Sequence, residues 1–279
     1  MNNYLAVLQD AAKAALRCRA LHGFALHRPC DVYELIGDSD TDLQFVDIPS
    51  LEGMYLHEDA IRRICVCGRR PGGRQRFTAA HELGHSVLGH GTMVDTEAEL
   101  GDVLPSSPEE HAADVFARYL LMSPRAVHGG FRGRGWDPAS PSPLQVYIVS
   151  SWLGVGYSAL VNHMGLTLKL YSQRTREALL KMPVKQLKQL AALVATTCDV
   201  WTLDAMWAGC TVHTQMGDVI RGLSVQPRAS NVLVGCGPST WVCNSVGEEL
   251  FAVNGGGPVR ICVSRRDYIG FYKYRYLPE

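Results

Sequence analysis

One stretch constrains this chain more than any other, the run Arg74-Gln-Arg-Phe-Thr-Ala-Ala-His-Glu-Leu-Gly-His-Ser-Val-Leu-Gly-His90. Phe77, Ala80, Leu83, Val87 and Leu88 fall on or near one helical stripe, so the run is predicted to be an α-helix with a buried face. Inside it stand His81, Glu82 and His85. Residues four apart on a helix share a face, with Cβ atoms about 5–6 Å apart. His81 and His85 can therefore offer two imidazole nitrogens to a single ion. Glu82 is turned by one residue and comes to the side of that ion, where it can hydrogen-bond a water and take its proton. Metallopeptidases use this arrangement. Ala79, Ala80 and Gly84 are small, which lets a second helix come close enough to complete a site. Without that second helix, two hydrogen-bonded core histidines would explain the spacing equally well.

Zinc needs a third protein ligand and an open fourth position. A third histidine in the register of three-His helical sites would stand at 91, where the chain has Gly, and His90 is one residue short. The other source is a carboxylate on the run Pro108-Glu-Glu-His-Ala-Ala-Asp-Val-Phe-Ala-Arg-Tyr-Leu-Leu-Met-Ser123. Pro108 suits a first helical turn, and acidic residues there complement the helix dipole. Glu110 and Asp114 are four apart. Glu110 can bind the metal while Asp114 accepts the N–H of a ligating histidine and fixes its tautomer. Glu109 would sit over Ala112, Ala113 and Phe116, and periodicity does not separate it from Glu110.

These two runs, with Glu110-x-x-Ala113-Asp114-x-Phe116-Ala117 and Leu120-Leu-Met-Ser-Pro124, make residues 1–175 or so resemble the ImmA/IrrE family of zinc metallopeptidases. In that family the glutamate of the second motif is the third ligand, which implies Glu110 here. Ala80 and Ser123 depart from the usual pattern, and neither is a ligand position. The resemblance implies a gluzincin-type endopeptidase with Zn²⁺ on His81, His85 and Glu110. It further implies a selective regulatory protease that cuts a repressor or similar partner. Two alternatives are a maturation protease for a precursor peptide and a non-catalytic protein- or DNA-binding regulator. The retained Glu82 argues against the last, because a structural site needs no base. Tyr55, His111 and Tyr119 are candidates for oxyanion donor by proximity in sequence.

The chain has 279 residues, 47% of them hydrophobic, enough for a substantial core and, by length, for two domains or more. Its 27 basic and 27 acidic residues balance, so nothing in the overall charge draws it to nucleic acid or membrane. Nine scattered cysteines include no Cys-x-x-Cys pair, which leaves thiolate zinc and redox motifs unsupported and favours a reducing cytoplasm. Cys65 and Cys67 read as core fillers of a strand. The N-terminal run is broken by Asp10 and Lys13, unlike a signal peptide. No run reaches the roughly 20 apolar residues of a spanning helix.

The expected fold is α+β: a peptidase core over 1–132, a linker and helix-turn-helix-like segment over 133–183, and a mainly-β recognition or regulatory domain over 184–279. In the core, residues 3–20 read as a helix buried along Leu5, Leu8, Ala12, Ala15 and Leu16, followed by strands at 43–48, 53–56 and 61–67. A sheet edge beside the metal helix can pair with an extended substrate. Residues 91–107 are acidic and irregular, a lid or plain connection. Residues 126–143 are rich in Gly, Pro and Ser and read as a linker or mobile loop. Helices at 144–153 and 159–164 outline a helix-turn-helix, but its second helix offers Tyr157, Ser158, Asn162 and His163 and no Arg or Lys, so DNA reading is not expected. A further helix is expected over 184–197. Strands at 199–203, 210–214, 218–225, 231–235, 241–243, 250–253, 259–263 and 268–276 point to a β-sandwich or barrel. The run from Asn254 to the end resembles the close of chagasin-type sandwiches, without their inhibitory loops.

Overall fold

The computed structural model describes residues 2–58, 61–96, 107–194, 196–224, 230–237 and 239–278. Its helices are α1 (Asn2–Leu21), α2 (Val32–Gly37), α3 (Gly72–Leu88), α4 (Pro108–Leu121), α5 (Pro124–Arg132), α6 (Pro143–Leu153), α7 (Tyr157–Asn162), α8 (Gln173–Leu180) and α9 (Val184–Ala192). Its strands are β1 (Asp42–Val46), β2 (Leu51–Glu58), β3 (Ile61–Cys67), β4 (Met93–Thr96), β5 (Val200–Thr202), β6 (Thr211–Gln215), β7 (Val219–Arg221), β8 (Leu233–Gly237), β9 (Thr240–Cys243), β10 (Gly247–Ala252), β11 (Pro258–Ser264) and β12 (Gly270–Phe271). The chain is α+β with small mixed sheets. It forms two compact units: Met1–Ala126 with Leu153–Val155 and Asp267–Tyr274, and Val127–Trp152 with Gly156–Arg266 and Arg275–Glu279. The helical stretch 156–183 and strands β5 to β11 thus share the second unit.

The first unit holds one sheet in the order β12-β1-β3-β2-β4. β1 runs parallel to β3, while β2 is antiparallel to both β3 and β4. α3 follows β3 directly, and its start is pinned to the sheet. Glu52 of β2 is fully buried and meets Arg70 Nε at 2.7 Å and Arg74 Nη2 at 2.7 Å. Gln75 donates to the carbonyls of Gly68 and Arg70 at 2.8 and 2.7 Å, which fixes the intervening turn. α1 packs on α4, but along Ala11, Ala15, Cys18 and Arg19, while Leu5 is 58% exposed. The expected stripe is displaced because a buried arginine belongs to it. Arg19 donates to the carbonyls of Leu120, Ala25 and Arg28. The first of these lies in the last turn of α4, whose carbonyls have no partner within the helix.

α5 takes up the first seven residues, 126–132, of the stretch that reads as a linker. Its glycines break a propensity argument but serve packing. A Cβ on Gly130 would lie 2.9 Å from Val149 and 3.0 Å from Trp152, so glycine is what lets α6 approach. The chain beyond α5 is held as well, since Arg134 grips Asp204 at 2.6 and 3.0 Å and lies 5.2 Å from the Trp152 ring. α6 and α7 are bent by 106° at the break between them. Tyr157 and His163 are buried there, and the Tyr157 hydroxyl donates to the Leu179 carbonyl at 2.9 Å. Among the described residues no single helix is long and apolar enough to cross a membrane. The nine cysteines are free thiols, with Cys65 and Cys67 buried.

The expected strands of the C-terminal part appear as two sheets, β10-β11-β6 and β5-β7-β9-β8, joined by an isolated bridge between Leu223 and Val253. The last expected strand does not belong to them. Only Gly270 and Phe271 are extended, and they pair antiparallel with β1 of the first unit, with a 3-10 turn over Tyr272–Tyr274. Of the aromatics in 268–276, Tyr268 and Tyr272 pack onto β1 and α2, Tyr274 is exposed, and Tyr276 stacks on His213. Tyr268 lies 6.1 Å from Phe45 and Tyr272 lies 5.4 Å from Tyr33, centroid to centroid.

The turn between β6 and β7 carries a buried acid. Asp218 is 4% exposed and accepts from the backbone N–H groups of Gln215 at 3.0 Å and Asp199 at 3.2 Å and from Trp201 Nε1 at 3.3 Å. Burial, reinforced by the charge of Asp199, outweighs these bonds and pushes its carboxyl up to about 6. A folded-state value above the unfolded one, about 3.9, means that folding takes up a proton between the two. The contribution is therefore full below pH 4 and is lost as pH rises through 6, a swing of about 3 kcal/mol. Urea unfolding of the wild type from pH 4 to 7 is expected to fall more steeply than that of Asp218→Asn. Parallel curves would show that Asp218 does not titrate in this range.

Candidate metal centre

The metal-binding candidates meet where α3 and α4 touch, and the small residues of the sequence are what allow the approach. A Cβ on Gly84 would come within 3.1 Å of Phe116 and 3.2 Å of the Ala113 Cα. Ala79, Ala80, Ala113 and Ala117 are fully buried in the same contact. α4 is started by Ser107, whose hydroxyl accepts from the Glu110 N–H at 3.2 Å, with Pro108 in the first turn. This cap fixes the rotation of α4 at the position where its acidic residues begin.

Rotated in this way, α4 turns Glu110 onto the two imidazoles and leaves Glu109 exposed. Glu110 Oε2 lies 3.1 Å from His81 Nε2, and Glu110 Oε1 lies 3.5 Å from His85 Nε2. The two Nε2 atoms are 3.0 Å apart. Bonds of 2.0–2.1 Å to a tetrahedral ion place ligand atoms about 3.3–3.4 Å from one another, and the two imidazoles and the carboxylate, which meets each of them through a different oxygen, stand close to that spacing. His81, His85 and Glu110 are positioned to bind a metal. Behind them, Asp114 Oδ1 faces His81 Nδ1 at 3.3 Å, and its other oxygen accepts from Arg118 at 2.7 Å. Burial opposes ionisation of Glu110, but hydrogen bonds with His81 and His85 outweigh it and hold the carboxyl well below the usual carboxylate range. Burial works against Asp114 too, and the bond to His81 with the charge of Arg118 prevails and lowers it. Both groups are carboxylates at neutral pH, as a ligand and its outer partner must be.

Residues 32–148, which carry this centre, match the model of the M78 peptidase family described as the IrrE N-terminal-like domain. This stretch is similar to the IrrE N-terminal-like domain. A search of curated proteins finds no match to the chain. The matched segment runs from α2 into α6, and its family is one of metallopeptidases.

Within the IrrE-like domain, Glu82 is fully buried between α3 and β2. Its carboxylate takes the space that a side chain at Gly53 would fill. A Cβ there would run into Glu82 Oε1 and lie 2.5 Å from the Thr78 methyl. Gly53 thus serves the position of Glu82, a link invisible in the sequence because 29 residues separate the two. Gly53→Ala is expected to bind zinc as the wild type does and to lose on the order of 100-fold in hydrolysis, the usual effect of about 1 Å of misplacement. Undiminished turnover would show that the glycine serves only the strand.

Of the oxyanion candidates, His111 is engaged through Nδ1 by the Tyr4 hydroxyl, and Tyr55 is 2% exposed with its ring beside His57. Tyr119 follows Glu110 by nine residues, about half a turn away around α4 at 100° per residue. None of the three gains support from this arrangement. The lid expected over 91–107 lies largely outside the described residues; its described part includes β4. One further group stands at the centre, His90, which the sequence reading set aside as a ligand; its Nδ1 lies 2.9 Å from His85 Nδ1.

Proposed function

We propose that the chain is a zinc-dependent endopeptidase of gluzincin type that cuts a specific protein partner. The observation that carries this reading is the convergence of His81 Nε2, His85 Nε2 and the Glu110 carboxylate, with 3.0 Å between the nitrogens, 3.1 Å from His81 to Oε2 and 3.5 Å from His85 to Oε1. Zinc held there supplies the Lewis acidity that polarises a peptide carbonyl and eases loss of a proton from water. Glu82 accepts that proton as the water attacks and returns it to the leaving amine. Asp114 keeps the proton of His81 on Nδ1, so that Nε2 faces the ion with its lone pair. β4 is the outermost strand of its sheet, and its outer edge offers backbone groups to an extended substrate.

The substrate we favour is a repressor-like protein in the cytoplasm, in keeping with the IrrE-like domain and the balanced charge. A precursor peptide is the alternative. The bent pair α6 and α7 serves packing or partner recognition in this reading and not DNA reading, since Tyr157 and His163 are buried and Asn162 accepts from Arg176 at 3.2 Å. The two C-terminal sheets serve recognition or regulation.

The test is metal analysis of the purified chain together with incubation of its adjacent gene products, followed by mass spectrometry. About one zinc per chain and a single defined cut, abolished by chelation and restored by zinc, are expected. A zinc-loaded chain that leaves those proteins and a broad peptide library intact would end the proposal.

A further inference from the structure

His90 has no place in a three-ligand reading of the centre, yet the fold delivers it there. α3 ends at Gly89, which takes the left-handed conformation at φ 76°. The next N–H, that of His90, then bonds back to the His85 carbonyl at 3.0 Å, and Gly89 N–H to the Ser86 carbonyl at 3.3 Å. This is the Schellman closure of a helix end, and it folds residue 90 over residue 85. The two rings meet edge to face, centroids 5.0 Å apart, with Nδ1 against Nδ1 at 2.9 Å.

We propose that His90 is a positioning residue that fixes the tautomer of His85 by accepting its Nδ1 proton. This deepens the zinc-peptidase reading and rests on it. His85 Nε2 faces His81 and Glu110, so as a ligand it must be bare. A neutral imidazole carries one proton, which then sits on Nδ1. The atom opposite is His90 Nδ1, so that nitrogen accepts and the proton of His90 is on Nε2. His81 is held by a carboxylate and His85 by a neutral imidazole, two different outer partners for two like ligands. Ligating histidines depend on such partners for orientation, and losing one costs 10–100-fold in metal affinity.

Two substitutions in the full-length chain separate the hydrogen bond from packing. His90→Asn sets an amide oxygen where Nδ1 stands and keeps the acceptor. His90→Phe keeps the ring contact and removes it. Zinc affinity is read by competition with a chromophoric chelator, and ring ¹⁵N spectra of the zinc form report which nitrogen of His85 carries the proton. The Phe variant is expected to bind zinc 10–100-fold more weakly, and the Asn variant within a few-fold of wild type. Equal affinity of wild type and Phe variant, or equal weakening in both variants, overturns the assignment, as does a His85 proton on Nε2. A wild-type chain that binds no zinc instead brings down the peptidase reading on which the assignment rests.

Discussion

Glu82→Gln is expected to bind zinc as tightly as the wild type and to cleave its partner 10²–10⁴-fold more slowly, the span general acid–base catalysis contributes. The substitution isolates chemistry from structure because the site accepts the amide's shape. Glu82 is fully buried against Gly53 and Thr78, and Gln has the same length and branching. It removes a charge from an enclosed position, which works in favour of folding. The amide cannot accept a proton from water, so the loss should fall on turnover and leave substrate affinity in place. Single-turnover rates with the enzyme in excess over the partner, at several enzyme concentrations and beside zinc content, read the two separately. If the Gln variant cuts within a few-fold of wild type, Glu82 is not the base and the mechanism fails even with the zinc site intact.

The centre itself was legible because its parts are local. His81, Glu82 and His85 lie within one turn of a helix whose periodicity is clear, and Glu110 and Asp114 share a face of another. Periodicity did not choose between Glu109 and Glu110, a choice only the resemblance made, since it turns on the rotation of α4 set by the Ser107 cap. His90 was hidden for the opposite reason. The register of a third histidine falls at 91 and sets residue 90 aside, and only the left-handed turn at Gly89 shows that residue 90 meets His85 instead. The face of α1 was misread because burial of Arg19 is decided by three carbonyls it meets in space. The same holds for 126–143, where Gly130 answers to Trp152. The stretch 268–276 reads as a strand, yet the rings of Tyr268 and Tyr272 are claimed by Phe45 and Tyr33, partners more than two hundred residues away.

Glu110→Gln should release the metal. The chain then keeps His81, His85 and one amide oxygen, a neutral and weak donor in place of a carboxylate. Removing a mere outer partner costs 10–100-fold in affinity, so loss of a ligand is expected to exceed about 100-fold and to abolish hydrolysis at ordinary zinc concentrations. Glu109→Gln is the control, because Glu109 is exposed and one residue away; it should bind and cleave as the wild type does. The metal-free proteins offer a second reading with a definite sign. The Glu110 carboxyl lies below its unfolded value, so its contribution to stability is full above the unfolded value, about 4.3, and is lost as pH falls toward the folded one. Acid titration of the chelated wild type should show that loss, and the Gln variant should lack it. Full zinc affinity in Glu110→Gln would mean that the carboxylate beside the two imidazoles is not a ligand, and the gluzincin assignment would fall with it.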